Sequence, residues 1–158
     1  MSKKPALERA KKYLSQFNLD LEPGEHEQTT KTAVEAAEAL GVEVGQIAKT
    51  ILFRAGEKYG LFVAAGDIKI DNKKVRSLLG GGKVRIAKPD EVAEKTGYEV
   101  GGVCPYDIEE DIAIFLDRSM ERFEKVYSAA GSSHSYLPIT LNQLQQVTGG
   151  QIVDLQKE

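Results

Sequence analysis

The sequence predicts a mixed α/β fold, a strongly curved sheet with helices outside it. Three observations lead there. Residues 47–67, "IAKTILFRAGEKYGLFVAAGD", hold two apolar runs around a Gly-containing turn at 55–58, the signature of a β-hairpin. Several short segments carry matched helix start and stop residues. Strands and helices then interleave without a strict βαβ rhythm, which argues for a mixed sheet.

The elements follow in order. Ala6, Leu7, Ala10, Tyr13, Leu14 and Phe17 recur at helical spacing, predicting a helix over 4–17. "LDLEPGEHE" reads as a short strand or turn carrying His26. In "TAVEAAEALG", Thr32 and Glu35 form a capping box and Gly41 is the stop. After the hairpin, Asp71 caps a helix over 72–79 that Gly80–Gly82 closes. "KVRIA" is a short strand. Pro89 and Gly97 bracket the next helix. "IAIFLD" and "KVYSAA" are strands separated by a turn of helix near Ser119–Arg122. "SYLPIT" contains Pro138 and reads as an edge strand. Thr140 and Gln143 cap a helix ending at Gly149, and "QIVDL" closes the chain.

At 158 residues the chain is expected to be a single domain over 1–158, with a core that needs no disulfide. One cysteine excludes an intrachain disulfide and a Cys-based zinc site. The N-terminus has no apolar signal core and no run approaches a membrane span, so the protein reads as cytoplasmic, with no membrane partner. The net charge of −3 argues against broad nucleic-acid coating. The charge is uneven, however. Residues 68–88 carry Lys69, Lys73, Lys74, Arg76, Lys83, Arg85 and Lys88 against Asp71 alone. That stretch suits either a polyanion touched at one place or a solvated helix face.

Two places could carry chemistry. Strand alternation puts Lys49 on one face with Ile47, Ile51 and Phe53, and Ala48, Thr50, Leu52 and Arg54 on the other. A lysine among apolar neighbours either snorkels out or places an ammonium in a cleft, to meet phosphate or carbonyl oxygen. The second place is "GYEVGGVCPYD", 97–107, with three glycines, Pro105 and the lone Cys104. It could be a plain turn, a cysteine nucleophile site, or a main-chain cradle whose N–H donors orient a carbonyl. The nucleophile needs a base, and spacing ties neither His26 nor His134 to Cys104. "GSSHS", 131–135, is a loop tip or a source of hydroxyls and His134 for a pocket. P-loop, GxGxxG, HExxH and GxSxG motifs are absent, which disfavours phosphoryl transfer, dehydrogenase and α/β-hydrolase chemistry.

"TAVEAAEALGVEVGQIAKTILF", then "GD", "KV", "TGYEVGGVCPY", "FLD" and "AAGSSHS", resemble in order the YbaK/EbsC-type aminoacyl-tRNA deacylases. These are free-standing relatives of the editing domain of bacterial prolyl-tRNA synthetase. The resemblance covers roughly 26–148. It implies a curved, barrel-like sheet and hydrolysis in trans of tRNA mischarged with a small amino acid, such as Cys or Ala on the proline acceptor. No cofactor and no metal are expected. Lys49 would hold the acylated 3′ end. The main chain of Gly101, Gly102, Val103, Cys104 and Pro105 would place the ester carbonyl. Asp117, Gly131 and Ser132 match further family stretches, and His26 and His134 join the candidate substrate contacts. Lys73, Lys74 and Arg76 are the candidate tRNA contacts, and a synthetase is a candidate partner. Family members clearing cysteinyl-tRNA often have a more basic run where this chain has "SSHS", which leaves the amino acid open. The alternatives are a non-catalytic regulatory module using the same pocket, or a Cys104-dependent hydrolase.

Overall fold

The computed structural model describes residues 4–27 and 32–158. The first three residues of the N-terminal stretch, read above as lacking a signal core, lie outside them. Helix α1 (Lys4–Ser15) buries Leu7, Ala10 and Leu14, and Phe17 packs its ring on Tyr13 in the turn that follows. The predicted helix over 4–17 therefore stops at Ser15, whose hydroxyl donates to the Lys12 carbonyl. Strand β1 (Gly24–Glu25) precedes helix α2 (Ala33–Leu40). The Thr32–Glu35 capping box starts α2, and Gly41 ends it at φ 68°.

Strands β2 (Ala48–Ala55) and β3 (Lys58–Ala65) form the predicted hairpin, in register from Ala48–Ala65 to Ala55–Lys58. The two-residue turn needs Gly56 at φ 62°. Helix α3 (Asn72–Leu78) is capped by the Asp71 carboxylate, which accepts from the Lys73 N–H. Strand β4 (Val84–Ile86), helix α4 (Pro89–Thr96) and strand β5 (Ala113–Asp117) come next. After a 3-10 turn at Arg118–Arg122 come β6 (Val126–Ser128), β7 (Ser135–Ile139), α5 (Leu141–Thr148) and β8 (Gln151–Val153).

The described strands form two sheets. One has the order β4-β2-β3-β5-β8 and the other β1-β7-β6. β2 pairs antiparallel with β3 and β4, whereas β5 runs parallel to β3 and β8, so the large sheet is mixed as predicted. Neither sheet closes on itself. The two touch through a parallel bridge between Ile47 and Tyr127.

One strand assignment is corrected. β7 is the middle strand of its sheet, not an edge. Pro138 is tolerated there because β1 is only two residues long and pairs with Ser135 and Tyr136, short of the proline. Pro138 itself lies opposite Tyr127 of β6.

Alternation along β2 and β3 sorts the core. Phe53 and Phe62 pack with Phe115, Val75 and Leu79 under α3. Leu52 and Leu61 pack with Val92 of α4 on the opposite face. Further along that face, Val63 and Ala65 join Leu7, Ala10, Leu14, Leu116, Leu144 and Val147 between α1 and α5. With both faces covered, β3 is buried from Gly60 to Ala65, which explains its unbroken apolar run.

A candidate active site at the open edge of strand β2

β4 pairs only with Phe53–Ala55 of β2, so the first half of β2 has no partner on that side. The Leu52 carbonyl accepts from the Ala87 N–H at the last point of contact. By strand alternation, Thr50 points its main-chain N–H and C=O to the same edge. Across the gap lie Tyr127, Ser128 and Ala129 at the end of β6. The two strands diverge from the Ile47–Tyr127 bridge, and a cleft of about 360 Å³ fills the space between them. Ala33, Ala36 and Leu40 of α2 form one apolar wall, while Val92, Val100, Gly101 and Val103 form another. Ile86 and Val100 are exposed at its rim.

Lys49 lines this cleft and is half-buried. Its Nζ donates to the Ile68 carbonyl at 2.6 Å. Burial pulls its pKa below the ordinary lysine value, against the opposing pull of Asp67 and Asp117. The Asp67 carboxylate of the Gly66–Asp67 turn is occupied, since Arg122 donates to both its oxygens at 2.7 and 3.0 Å. Those hydrogen bonds hold its carboxyl below the usual range. The Lys49 charge is therefore anchored by a neutral carbonyl rather than neutralised by contact.

Thr50 is the residue that sequence reasoning missed. It lines the cleft, and its Oγ1 is buried with no hydrogen-bond partner. A buried hydroxyl without a partner costs about 1–3 kcal/mol, so such groups are rare in folded proteins. No periodicity signal could have found it, because whether a buried hydroxyl has a partner depends on its tertiary neighbours. Ser128, Tyr127, Ser135 and Tyr136 also reach the cleft. The lining holds no carboxylate among the described residues, and no cluster of three or more His, Cys, Asp or Glu there is placed to hold a metal ion.

The structure divides the sequence-predicted loop residues. Gly101 and Val103 line the cleft, and Gly101 sits at φ 96°, a conformation that favours glycine. Gly102 does not offer a donor there. Its N–H donates to the Glu99 carbonyl at 2.9 Å and its carbonyl accepts from the Gly131 N–H at 3.1 Å. A Cβ on Gly102 would stand 2.7 Å from the Ser132 Cα, so this glycine permits close backbone packing. Cys104 is fully buried, and burial pushes its thiol up to about 12. A thiol so held stays protonated at neutral pH and is no nucleophile. Pro105 is buried beside it.

The remaining candidates also separate. His26 lines the cleft, its ring stacked on Tyr136 at 5.8 Å. His134 is outside the lining, and its carbonyl accepts from the His26 N–H at 2.8 Å. Gly131 and Ser132 lie behind the loop. Ser132 accepts from the His134 N–H and its carbonyl accepts from Ser135 Oγ at 2.7 Å. Asp117 is completely buried and accepts from the Ser119 N–H at 3.0 Å and the Leu155 N–H at 2.5 Å. It ties the chain end to β5. Lys73, Lys74 and Arg76 lie on α3, outside the lining. Lys73 and Arg76 are exposed, while Lys74 donates to the Gln156 carbonyl at 2.7 Å.

Residues 27–147 match the aminoacyl-tRNA editing domain family. The chain is 39% identical to the uncharacterized protein YwhH of Bacillus subtilis (strain 168), over 97% of this chain and 98% of YwhH. It is 27% identical to an Enterococcus faecalis (strain ATCC 700802 / V583) protein, EbsC, provisionally named a Cys-tRNA(Pro)/Cys-tRNA(Cys) deacylase, over 78% of this chain and 76% of that one. It also matches the proline–tRNA ligase of Bacillus subtilis (strain 168) at 28% identity, over 77% of this chain but only 22% of the ligase. A crystal structure provisionally assigned as a trans-editing enzyme for prolyl tRNA synthetase superposes with a TM-score of 0.89 at 33% identity, over 100% of this chain and 99% of that one. The chain belongs to the aminoacyl-tRNA editing domain family.

Proposed function

We propose that this chain is an aminoacyl-tRNA deacylase. It hydrolyses the ester that joins a small, wrongly attached amino acid to the 3′ end of a tRNA, with the proline acceptor as the favoured tRNA. The observation that carries the reading is one cleft that brings together Lys49, Thr50 and the main chain of Gly101 and Val103.

The chemistry asked of the site is small. An aminoacyl ester is already activated, so orientation and polarisation of the carbonyl supply the needed acceleration. Lys49 meets a phosphate or ribose oxygen of the terminal nucleotide. The Thr50 hydroxyl, which has no exposed surface as it stands, turns about χ1 to reach the substrate and finds its missing partner there. The main-chain N–H groups of Gly101 and Val103 face the ester oxygen as it gains negative charge. Water adds to the carbonyl carbon and the bond to the ribose oxygen breaks. That oxygen takes up the proton the water gives, freeing amino acid and tRNA.

The walls suit the selectivity. Ala33, Ala36 and Leu40 leave room for a small uncharged side chain and offer a charged one no counter-ion. A synthetase pocket gains only about 1–3 kcal/mol per methylene, so small wrong amino acids pass it and a second site must remove them. The ester sits between the two sheets where β2 and β6 part. The exposed Lys73 and Arg76 lie on α3, which packs against β4 at the cleft rim, and hold acceptor-stem phosphates.

Deacylation of proline-acceptor tRNA charged in turn with alanine, cysteine, proline and phenylalanine tests this. The small wrong residues should be removed fastest and phenylalanine slowest. Equal rates for phenylalanine and alanine would contradict a size-limited cleft.

A further inference from the structure

Helix α1 lies wholly outside the matched family region 27–147, yet it grips the back of the glycine loop. Arg9 on that helix touches both ends of the loop. Its guanidinium lies 4.3 Å over the Tyr98 ring, where the loop begins. Its Nε donates to Asp107 Oδ2 at 2.8 Å, and its Nη2 donates to the Asp107 carbonyl, where the loop ends. Asp107 sits at φ 60°, an uncommon conformation for a residue other than glycine that its surroundings must hold in place.

The grip continues toward the cleft. Tyr98 is buried and its hydroxyl donates to the Tyr106 carbonyl at 2.6 Å. The Tyr106 hydroxyl shares a 2.7 Å hydrogen bond with Ser128, which lines the cleft. The α1 backbone also touches the loop's neighbour. A Cβ on Gly131 would stand 2.6 Å from the Ala6 carbonyl oxygen, and the Gly131 N–H donates to the Gly102 carbonyl. The Arg9–Asp107 pair is partly exposed, 32% and 51%, so its contribution to global stability is small. What it fixes is geometry.

We propose that Arg9 is a positioning residue. It clamps Tyr98 to Asp107 and so sets the main chain of Gly101 and Val103 that receives the ester carbonyl. The inference rests on the deacylase reading for its catalytic consequence, but the clamp itself does not. Lysine cannot replace arginine here, because stacking on Tyr98 while donating twice to Asp107 needs the planar fork.

The test compares wild type with Arg9→Ala, Arg9→Lys and Asp107→Asn, using amide hydrogen exchange and steady-state deacylation of mischarged tRNA. The clamp predicts faster exchange confined to residues 98–107 in all three variants. It predicts kcat reduced by roughly 10- to 100-fold in the arginine variants with KM little changed, as expected of a misplaced carbonyl site. Asp107→Asn, at an exposed position that keeps the fold, should show the same pattern more weakly. Wild-type exchange across 98–107 in the variants overturns the clamp, whatever the activities. Faster exchange there with wild-type kcat overturns its catalytic role. An inactive wild type whose variants still show the exchange change refutes the deacylase reading and leaves the clamp standing. If Arg9→Ala does not fold, Asp107→Asn gives both readouts.

Discussion

Replacing Thr50 by valine should make the protein more stable and less active. The Thr50 Oγ1 is buried and unpartnered at the open edge of β2. Valine keeps the branched shape and the strand preference while removing the polar atom. Leaving such a hydroxyl unsatisfied costs about 1–3 kcal/mol, and a methyl in its place recovers part of that. A gain of about 1 kcal/mol corresponds to a rise in Tm of roughly 2–4 °C for a domain of this size. The proposed hydrogen bond to substrate is neutral, worth about 0.5–1.5 kcal/mol net. Its loss should lower kcat/KM by about 2- to 12-fold. Calorimetry and steady-state deacylation, on the same preparations, measure both. A Thr50→Val protein that melts lower than wild type and deacylates as fast would refute the reasoning, because the hydroxyl would then have a structural partner and no substrate.

Four other outcomes follow from the same geometry. Burial lowers the Lys49 pKa, so kcat/KM should fall on the alkaline side below pH 10.5, and Lys49→Arg should lack that limb. The same depression makes charged Lys49 a cost to folding that is relieved as pH rises through its folded pKa, so Lys49→Met should narrow the stability gain on going from neutral to alkaline pH. Gly102→Ala must push its Cβ against the Gly131 and Ser132 backbones, which should destabilise by about 1–3 kcal/mol in a denaturant titration. Replacing Lys73 and Arg76 with alanine should raise KM for charged tRNA and flatten its salt dependence, while leaving a minimal aminoacyl-nucleotide substrate unaffected.

What was legible in the sequence was local. The Thr32–Glu35 and Thr140–Gln143 boxes, the Gly56 turn and the Pro89–Gly97 brackets each depend on residues a few positions apart, and each formed as read. Lys49 was legible as a polar residue out of place on an apolar face. Pro138 misled, because a proline argues for an edge only when a neighbouring strand reaches it, and β1 stops short. The loop was read as a whole, yet Gly102 serves packing while Gly101 and Val103 face the cleft. That division follows from the 131–132 backbone, 29 or more residues downstream. The Thr50 orphan and the Arg9–Asp107 clamp, 98 residues apart in sequence, depend on tertiary neighbours that no spacing rule encodes.

The most direct test of the account is the single-turnover deacylation rate of alanine-charged proline-acceptor tRNA by wild type, Lys49→Ala and Cys104→Ala. The account predicts hydrolysis well above the spontaneous rate for wild type. Cys104→Ala should stay within a few-fold of it, because the thiol is sealed in the core and protonated. Lys49→Ala should fall by about 100-fold or more while keeping its fold, as expected when a positioning charge is lost from a reacting site. Full activity in Lys49→Ala, or its loss in a folded Cys104→Ala, would contradict the assignment of this cleft.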